Sequence, residues 1–389
     1  VMHRAIVDRL QSQVMQPLKT RFVGREEVVD LIALALVAGE HLFLYGPPGT
    51  AKSALIRAFA QAVGGSYFEY LLTRFSEPNE IFGPIDLVRL RDGIVATVTQ
   101  GMLPEAAFVF LDELFNANSA ILNNLLTVLN ERTYRRGAEQ HRLPLLSLFS
   151  ASNHLPEDDA LNALFDRFLL RHRVEPLTRD AMPQLLMAGW ELEQTKGLPA
   201  IAEPQPIESP VTVDDLRQLG QTMLRVELAP IRDSLADAIF KVRDLGVAIS
   251  DRRAVKILKL VAASAVLAGR MQANPSDFWV LRYVWDRESQ VAPLRSLVLE
   301  MLRQHAAQSP HEAAHPMATI PERITSEQLA QELSSLEQQL NAGKPTLTLL
   351  ARLREQTTRL ADRAAWLTDP AARQVVTQRM TRLLERLGT

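Results

Sequence analysis

Gly46-Pro47-Pro48-Gly49-Thr50-Ala51-Lys52-Ser53 is the stretch on which the fold turns. It follows the apolar run His41–Tyr45 and precedes Leu55, Ala58, Phe59 and Ala62 at helical spacing, which Gly64-Gly65 stops. Strand, glycine-rich loop and helix in that order are the context of a Walker A phosphate loop. Small residues let backbone N–H groups turn inward around an anion, and the helix presents its positive end to it. Gly46, Pro48, Gly49, Thr50 and Ala51 are the candidate cradle, with Lys52 bridging β- and γ-phosphates and the Ser53 hydroxyl holding Mg²⁺. Ala51 stands where most such loops carry glycine, and it is expected to fit with a negative φ, as at a helix start.

The second half of the site lies sixty residues beyond Lys52, where Phe108-Val109-Phe110-Leu111 ends in Asp112-Glu113. A continuous apolar run of this length is a buried central strand, and its C-terminal end delivers the carboxylates to the edge where ligands bind. Asp112 suits the Mg²⁺ shell, and Glu113 suits the polarisation of a water. A fourth strand ends Ser150-Ala151-Ser152-Asn153, which places Asn153 on the same edge to orient that water with Glu113. Asp166-Arg167-Phe168 opens the fifth.

The five expected strands are His41–Tyr45, Tyr67–Leu72, Ala107–Leu111, Leu145–Ala151 and Phe168–Val174, alternating with helical patterns. This predicts an α/β core with a five-stranded parallel sheet covered by helices on both faces over residues 1–175. From Pro176 the strand signal stops, and 176–303 read as helices with proline-rich joints such as Leu198–Pro210. Residues 304–321 carry three prolines and three of the eight histidines without helical periodicity, and read as a linker. His311 and His315 have helical spacing, but Pro310 and Pro316 break it and no carboxylates complete a metal site. In 322–389, Leu329, Leu333, Leu336 and Leu340 repeat at 4, 3, 4, as do Val376, Met380, Leu383 and Leu387. Leu349, Leu353, Leu360, Ala364 and Leu367 fit the same seam, so this stretch reads as a three-helix hairpin broken at Gly343-Lys344-Pro345 and Asp369-Pro370.

Composition narrows the chemistry. The 389 residues contain no cysteine, which excludes disulfides, thiolate zinc, iron–sulfur clusters and cysteine nucleophiles. A net charge of -2 gives no global pull toward nucleic acid or anionic lipid, so any polyanion site is local. No window has the ~18–20 apolar residues of a membrane span. Val1–Thr20 lacks a signal-peptide pattern, and the expected location is cytoplasmic.

With these motifs in order, the chain resembles the AAA+ ATPases of the MoxR family, and within it the RavA-like subfamily. The likeness spans about residues 18–290 and rests on GPPGTAKS at 46–53, LTRFSEPNEIFGP at 72–84, FVFLDE at 108–113, LLTVLNER at 125–132, SASN at 150–153, LFDRF at 164–168 and SDRR at 250–253. The resemblance implies ATP/ADP and Mg²⁺ held between the core and a helical lid, in a ring that is usually a hexamer. It implies that Arg167 is the arginine finger reaching a neighbouring subunit's γ-phosphate, that Arg252 is the sensor 2 arginine reaching down from the lid, and that Val23 contacts adenine. Arg132, Arg135 and Arg136 compete for the finger role. Arg253 competes with Arg252, and being adjacent on a helix the two point about 100° apart. Asp92-Gly93 within 84–100 and the stretch Thr133–Arg142 read as two hairpins, similar to the helix 2 insert and pre-sensor hairpin of this clade.

The function so implied is ATP hydrolysis in a ring that remodels, activates or matures protein clients with a von Willebrand factor A (vWA) domain partner. Two alternatives stand beside it. One is a nucleic-acid-stimulated motor or loader, which Arg135, Arg136 and Arg142 would serve but which the net charge and the lack of a base-reading module disfavour. The other is a nucleotide-gated scaffold acting through the helical tail. The β-rich module of larger RavA-like members is not visible in the sequence.

Overall fold

The computed structural model describes residues 2–93, 95–136, 139–177, 179–196, 209–309, 314–318, 326–341, 350, 353–354, 357, 360 and 370–386. Seven strands are described: β1 (Leu42–Tyr45), β2 (Tyr67–Leu71), β3 (Phe108–Asp112), β4 (Thr133–Arg136), β5 (Glu139–Arg142), β6 (Ser147–Ser152) and β7 (Leu170–Arg173). Five of them form one sheet in the order β2-β3-β6-β1-β7, every pair parallel. All five expected strands are present, with ends shifted by one or two residues. The central strands β3 and β6 are buried along nearly their whole length, as the unbroken apolar runs require.

The helix Glu26–Ala38 shows how strongly the core is specified. Its residues Val28 to Ala38 are all buried, two glutamates occupy its first turn, and Gly39 at φ +61° ends it. The lid helices Val213–Met223 and Asp251–Leu267 pack directly on it, so core and lid share one hydrophobic interior. They form one unit from Val1 to Ala318, and a second unit begins at Thr319.

Charged bolts fasten the lid. Glu40, buried before β1, accepts from Lys256 Nζ at 2.8 Å and Lys259 Nζ at 2.5 Å. Arg171 of β7 and Arg253 of the lid both donate to Asp286 Oδ1, each at 2.6 Å. Arg171 is fully buried, with Nη1 on the Trp285 carbonyl, Nη2 on that of Phe165 and its guanidinium over the Phe165 ring. Burial pushes its pKa down to about 9, opposed by Asp286.

Two features differ from the sequence reading. The segment 84–100 is not a hairpin: Leu87–Arg91 is a short helix, and one antiparallel bridge, Ile85 to Thr97, is what pairs. The cause is Asp86, whose carboxylate accepts from the backbone N–H groups of Val88 and Arg89 and starts a helical turn. The second hairpin does form, as β4 and β5. The stretch 304–321 begins inside the helix Val291–Gln308, and Pro316–Ala318 packs into the first unit, where Met317 is buried and His315 stacks on Trp279.

In the second unit, helices Ser326–Asn341 and Pro370–Arg386 pair through Leu329, Leu333 and Leu336 against Val376, Met380 and Leu383, with Leu353 and Leu360 buried in the same cluster. Arg379 donates to Glu337 at 2.6 Å across the pair. The expected seam positions Leu349, Ala364, Leu367 and Leu387, the breaks at 343–345 and Asp369, the joint 198–208, and Pro310 with His311 lie outside the described residues.

Candidate active site

Because the five strands run parallel, their C-terminal ends share one edge, and the loops leaving that edge carry the candidate residues. Gly46 leaves β1 with its N–H on the Ser152 carbonyl at 3.1 Å, tying the phosphate loop to the end of β6. Only glycine fits at Gly46, since a Cβ there would stand 2.2 Å from the Val174 carbonyl oxygen. Gly49 and Ala51 follow at φ +77° and +60°. Ala51 is thus left-handed, not at the negative φ expected of it. It is the residue before the helix, not the first one in it, and there the chain must reverse hand to aim the following N–H groups at the loop. Such strain, about 1–3 kcal/mol for a non-glycine residue, is held by surrounding structure and gathers at functional sites.

Lys52 opens the helix Lys52–Ala62 and is buried, its Nζ donating to the carbonyls of Gly46 at 2.9 Å and Pro47 at 2.8 Å. Burial pushes its pKa down, while Asp112 and Glu113 pull it up, which places both carboxylates within electrostatic reach of the ammonium. Thr50 Oγ1 braces the loop by donating to the Pro47 carbonyl, and Ser53 is the next residue along the helix. Asp112 ends β3, and its Oδ1 accepts the Glu113 N–H at 3.0 Å. Glu113 is itself left-handed at φ +53°. Asn153 follows β6, so Lys52, Ser53, Asp112, Glu113 and Asn153 all leave the same edge. Val23 is buried just before the helix Glu26–Ala38. The Ser53 hydroxyl and Asp112 carboxylate are hard oxygen donors of the kind Mg²⁺ takes from protein while phosphate and water fill the rest of its shell.

The arginines fall elsewhere. Arg167 precedes β7, and Leu170 at the start of that strand pairs with Leu42 at the start of β1, so Arg167 lies at the opposite, N-terminal edge. Arg252 is there too, with Nη2 3.4 Å from Asn130 Oδ1 at the end of the helix Ser119–Glu131. Both line one cavity of about 400 Å³ with Lys256, Asp166 and Ser250. Arg252 thus lies, with Arg167, away from the phosphate loop that leaves the other end of β1 in the same chain. Arg167 Nε is buried without a hydrogen-bond partner among the described residues, and it is Arg171, not Arg167, that pairs with Asp166, at 3.6 Å.

Two competitors have structural work instead. Arg132 caps its helix in a left-handed conformation and donates Nη2 to the carbonyls of Gly39 at 2.7 Å and Leu146 at 3.1 Å, which leaves it turned inward. Arg253 is held by Asp286, Ala248 and Val284. Arg135 pairs loosely with Glu131 at 3.9 Å, and Arg136 lies with it on β4.

The structure adds residues that the sequence reading passed over. Arg25 donates Nε to the Thr50 carbonyl at 3.1 Å and Nη1 to that of Gly24 at 3.0 Å, buttressing the phosphate loop from outside. Its signal was a cation beside Val23 just before a helix. His154 follows Asn153 directly, and its Nδ1 lies 4.0 Å from Glu113 Oε2. Arg171 stands in the sequence between Leu170 and His172, with Arg173 beyond, and no local pattern singles it out as the buried one.

A parallel sheet ordered β2-β3-β6-β1-β7, a Walker loop after β1, paired carboxylates after β3, a polar residue after β6 and a helical lid define an AAA+ nucleotide-binding module. The comparisons narrow the class. Residues 8–218 match the MoxR domain in the MoxR-vWA-beta-propeller ternary systems, and residues 226–298 match an AAA lid domain. The chain belongs to the MoxR family of AAA+ ATPases. It is 36% identical to the uncharacterized protein MJ0812 of Methanocaldococcus jannaschii over 71% of each chain. It is 28% identical to the chaperone MoxR1 of Mycobacterium tuberculosis over 44% of this chain and 45% of that one. The fold resembles a crystal structure from Cytophaga hutchinsonii with a TM-score of 0.61 at 15% identity, covering 77% of this chain and 96% of that one.

Proposed function

We propose that this chain hydrolyses ATP with Mg²⁺ in a closed ring of its own copies, probing and remodelling protein clients. The observation that carries the reading is the division of the site between two edges. Lys52, Ser53, Asp112, Glu113 and Asn153 share the C-terminal edge, while Arg167 and Arg252 share a cavity at the other. A head-to-tail neighbour brings one edge against the other, and such heterologous contacts close into rings. In each interface Lys52 neutralises the β- and γ-phosphates, Glu113 accepts a proton from water, Asn153 orients that water, and the neighbouring copy's Arg167 and Arg252 stabilise the charge on the transferred group. Ser53 and Asp112 would hold the Mg²⁺ ion, which supplies charge neutralisation between the phosphates.

Loss of the γ-phosphate removes what Arg167 and Arg252 hold, which lets neighbouring copies rotate and turns hydrolysis into motion. The matched family description names vWA and β-propeller components, which supports a vWA-domain protein as the partner of this chain and a β-propeller protein as a third member. The finer RavA-like placement and a hexameric ring are what the family resemblance implies. Among the described residues no helix is long and apolar enough to cross a membrane. Lys52→Gln is expected to abolish ATP turnover, and Glu113→Gln with ATP is expected to trap the vWA partner in a pulldown. Wild-type turnover by Lys52→Gln would overturn the reading.

A further inference from the structure

His154 sits where β6 leaves the sheet, directly after Asn153. Its ring meets Phe115 edge-on, with centroids 5.9 Å apart, and its backbone N–H donates to Ser152 Oγ at 3.3 Å. With the ring so placed, Nδ1 donates to Asn153 Oδ1 at 2.9 Å, lies 3.2 Å from Ser152 Oγ, and has Glu113 Oε2 at 4.0 Å, beyond hydrogen-bond length. One imidazole nitrogen therefore stands between the two side chains assigned above to the attacking water.

The consequence for Asn153 is directional. An amide whose Oδ1 accepts from Nδ1–H has its orientation chosen, and both Nδ2 protons are left facing away from the ring. Glu113 stands next to this pair, its backbone in the left-handed region and its N–H on Asp112 Oδ1. We infer that His154 is a positioning residue of the hydrolytic centre: its Nδ1–H sets which face of the Asn153 amide is offered to substrate, 4.0 Å from the Glu113 carboxylate. The inference rests on the roles given to Glu113 and Asn153 under the proposed function. It assigns His154 no contact with nucleotide, so it predicts an effect on turnover and not on binding.

Three substitutions separate this role from ring packing. His154→Phe keeps the ring against Phe115 and removes both nitrogens; His154→Asn places an N–H donor where Nδ1 stands; His154→Gln places one where Nε2 stands. His154→Phe should lower kcat by about 10- to 100-fold, the scale of a small misplacement of catalytic groups, while the Kd for a fluorescent ATP analogue changes less than about threefold. His154→Asn should recover most of the lost kcat, and His154→Gln should not. A His154→Phe protein with wild-type kcat, or a His154→Asn protein as slow as His154→Phe, would overturn the inference. Glu113→Gln and Asn153→Ala are measured alongside. If they are inactive while His154→Phe is unaffected, His154 alone is misassigned; if they turn over ATP at the wild-type rate, the site reading itself fails and the inference with it.

Discussion

Arg167 and Lys52 stand at opposite edges of one sheet, Arg167 before β7 and Lys52 after β1, with Leu42 of β1 paired to Leu170 of β7. A four-residue strand spans roughly 13 Å, so the guanidinium and the ammonium of one chain do not meet over one phosphate. Arg252 shares the cavity of Arg167, which makes both lid and core contributors to the same outward-facing edge. Under the proposed function, a working site is therefore an interface between two copies, each giving half.

Ala51 in its left-handed conformation gives the first prediction. Ala51→Gly relieves the Cβ strain at φ +60° and should raise stability by about 1 kcal/mol, after the greater chain entropy of glycine is subtracted. Thermal melting should show a rise of about 1–2 °C for a unit of this size, and a lower melting temperature would contradict the geometry.

Asp286 is the common acceptor for Arg171 and Arg253. Asp286→Ala leaves two buried guanidinium groups without their counter-charge and should cost about 3–5 kcal/mol. Denaturant melts of the full chain check this. Asp286→Asn, which keeps the volume and one acceptor, should fall between Asp286→Ala and wild type.

Asp30 supplies the pH dependence. Burial raises its pKa to about 6, although Lys19 Nζ lies 2.7 Å from its Oδ1. Between an unfolded value near 3.8 and the folded value near 6, the folded chain binds more protons than the unfolded one. This group's contribution to stability therefore declines as pH rises through that window and is flat above it. Asp30→Asn should be more stable than wild type at pH 7, by on the order of 1–3 kcal/mol, and the two should converge near pH 4. Melting temperatures across pH 4–8 test the sign.

Much of this architecture could be read from residues alone, and the limits have physical causes. The Walker loop, the β3 carboxylates and the strand set were legible because a fully buried strand must be continuously apolar and a phosphate loop must be small and glycine-rich. The helix Leu87–Arg91 was not: Asp92-Gly93 resembles a hairpin turn, while the deciding contact is the Asp86 side chain capping the N–H groups of Val88 and Arg89, ahead of that turn. The hand of Ala51 was misjudged because a rule for isolated alanine ignores a loop that must reverse to surround an anion. For Arg252, motif register distinguished it from Arg253, which is buried on Asp286, but the edge it occupies is a property of topology that no local pattern carries. Arg25 escaped notice because the Thr50 carbonyl it holds is distant in sequence, and His154 because a histidine after an asparagine shows its meaning only once Asn153 and Glu113 are seen on one edge.

The shared interface is tested most directly by mixing two inactive proteins. Lys52→Ala retains Arg167 and Arg252 but lacks a working phosphate loop; Arg167→Ala has the loop but lacks the finger, a loss of about 10³–10⁵ in kcat. Steady-state ATP turnover is measured for each alone and for an equal mixture allowed to co-assemble. Random head-to-tail assembly should restore turnover to about a quarter of the wild-type rate per chain, because that share of interfaces pairs an intact loop with an intact arginine. A co-assembled mixture that stays inactive, or an Arg167→Ala protein that turns over ATP unaided at the wild-type rate, would contradict the account.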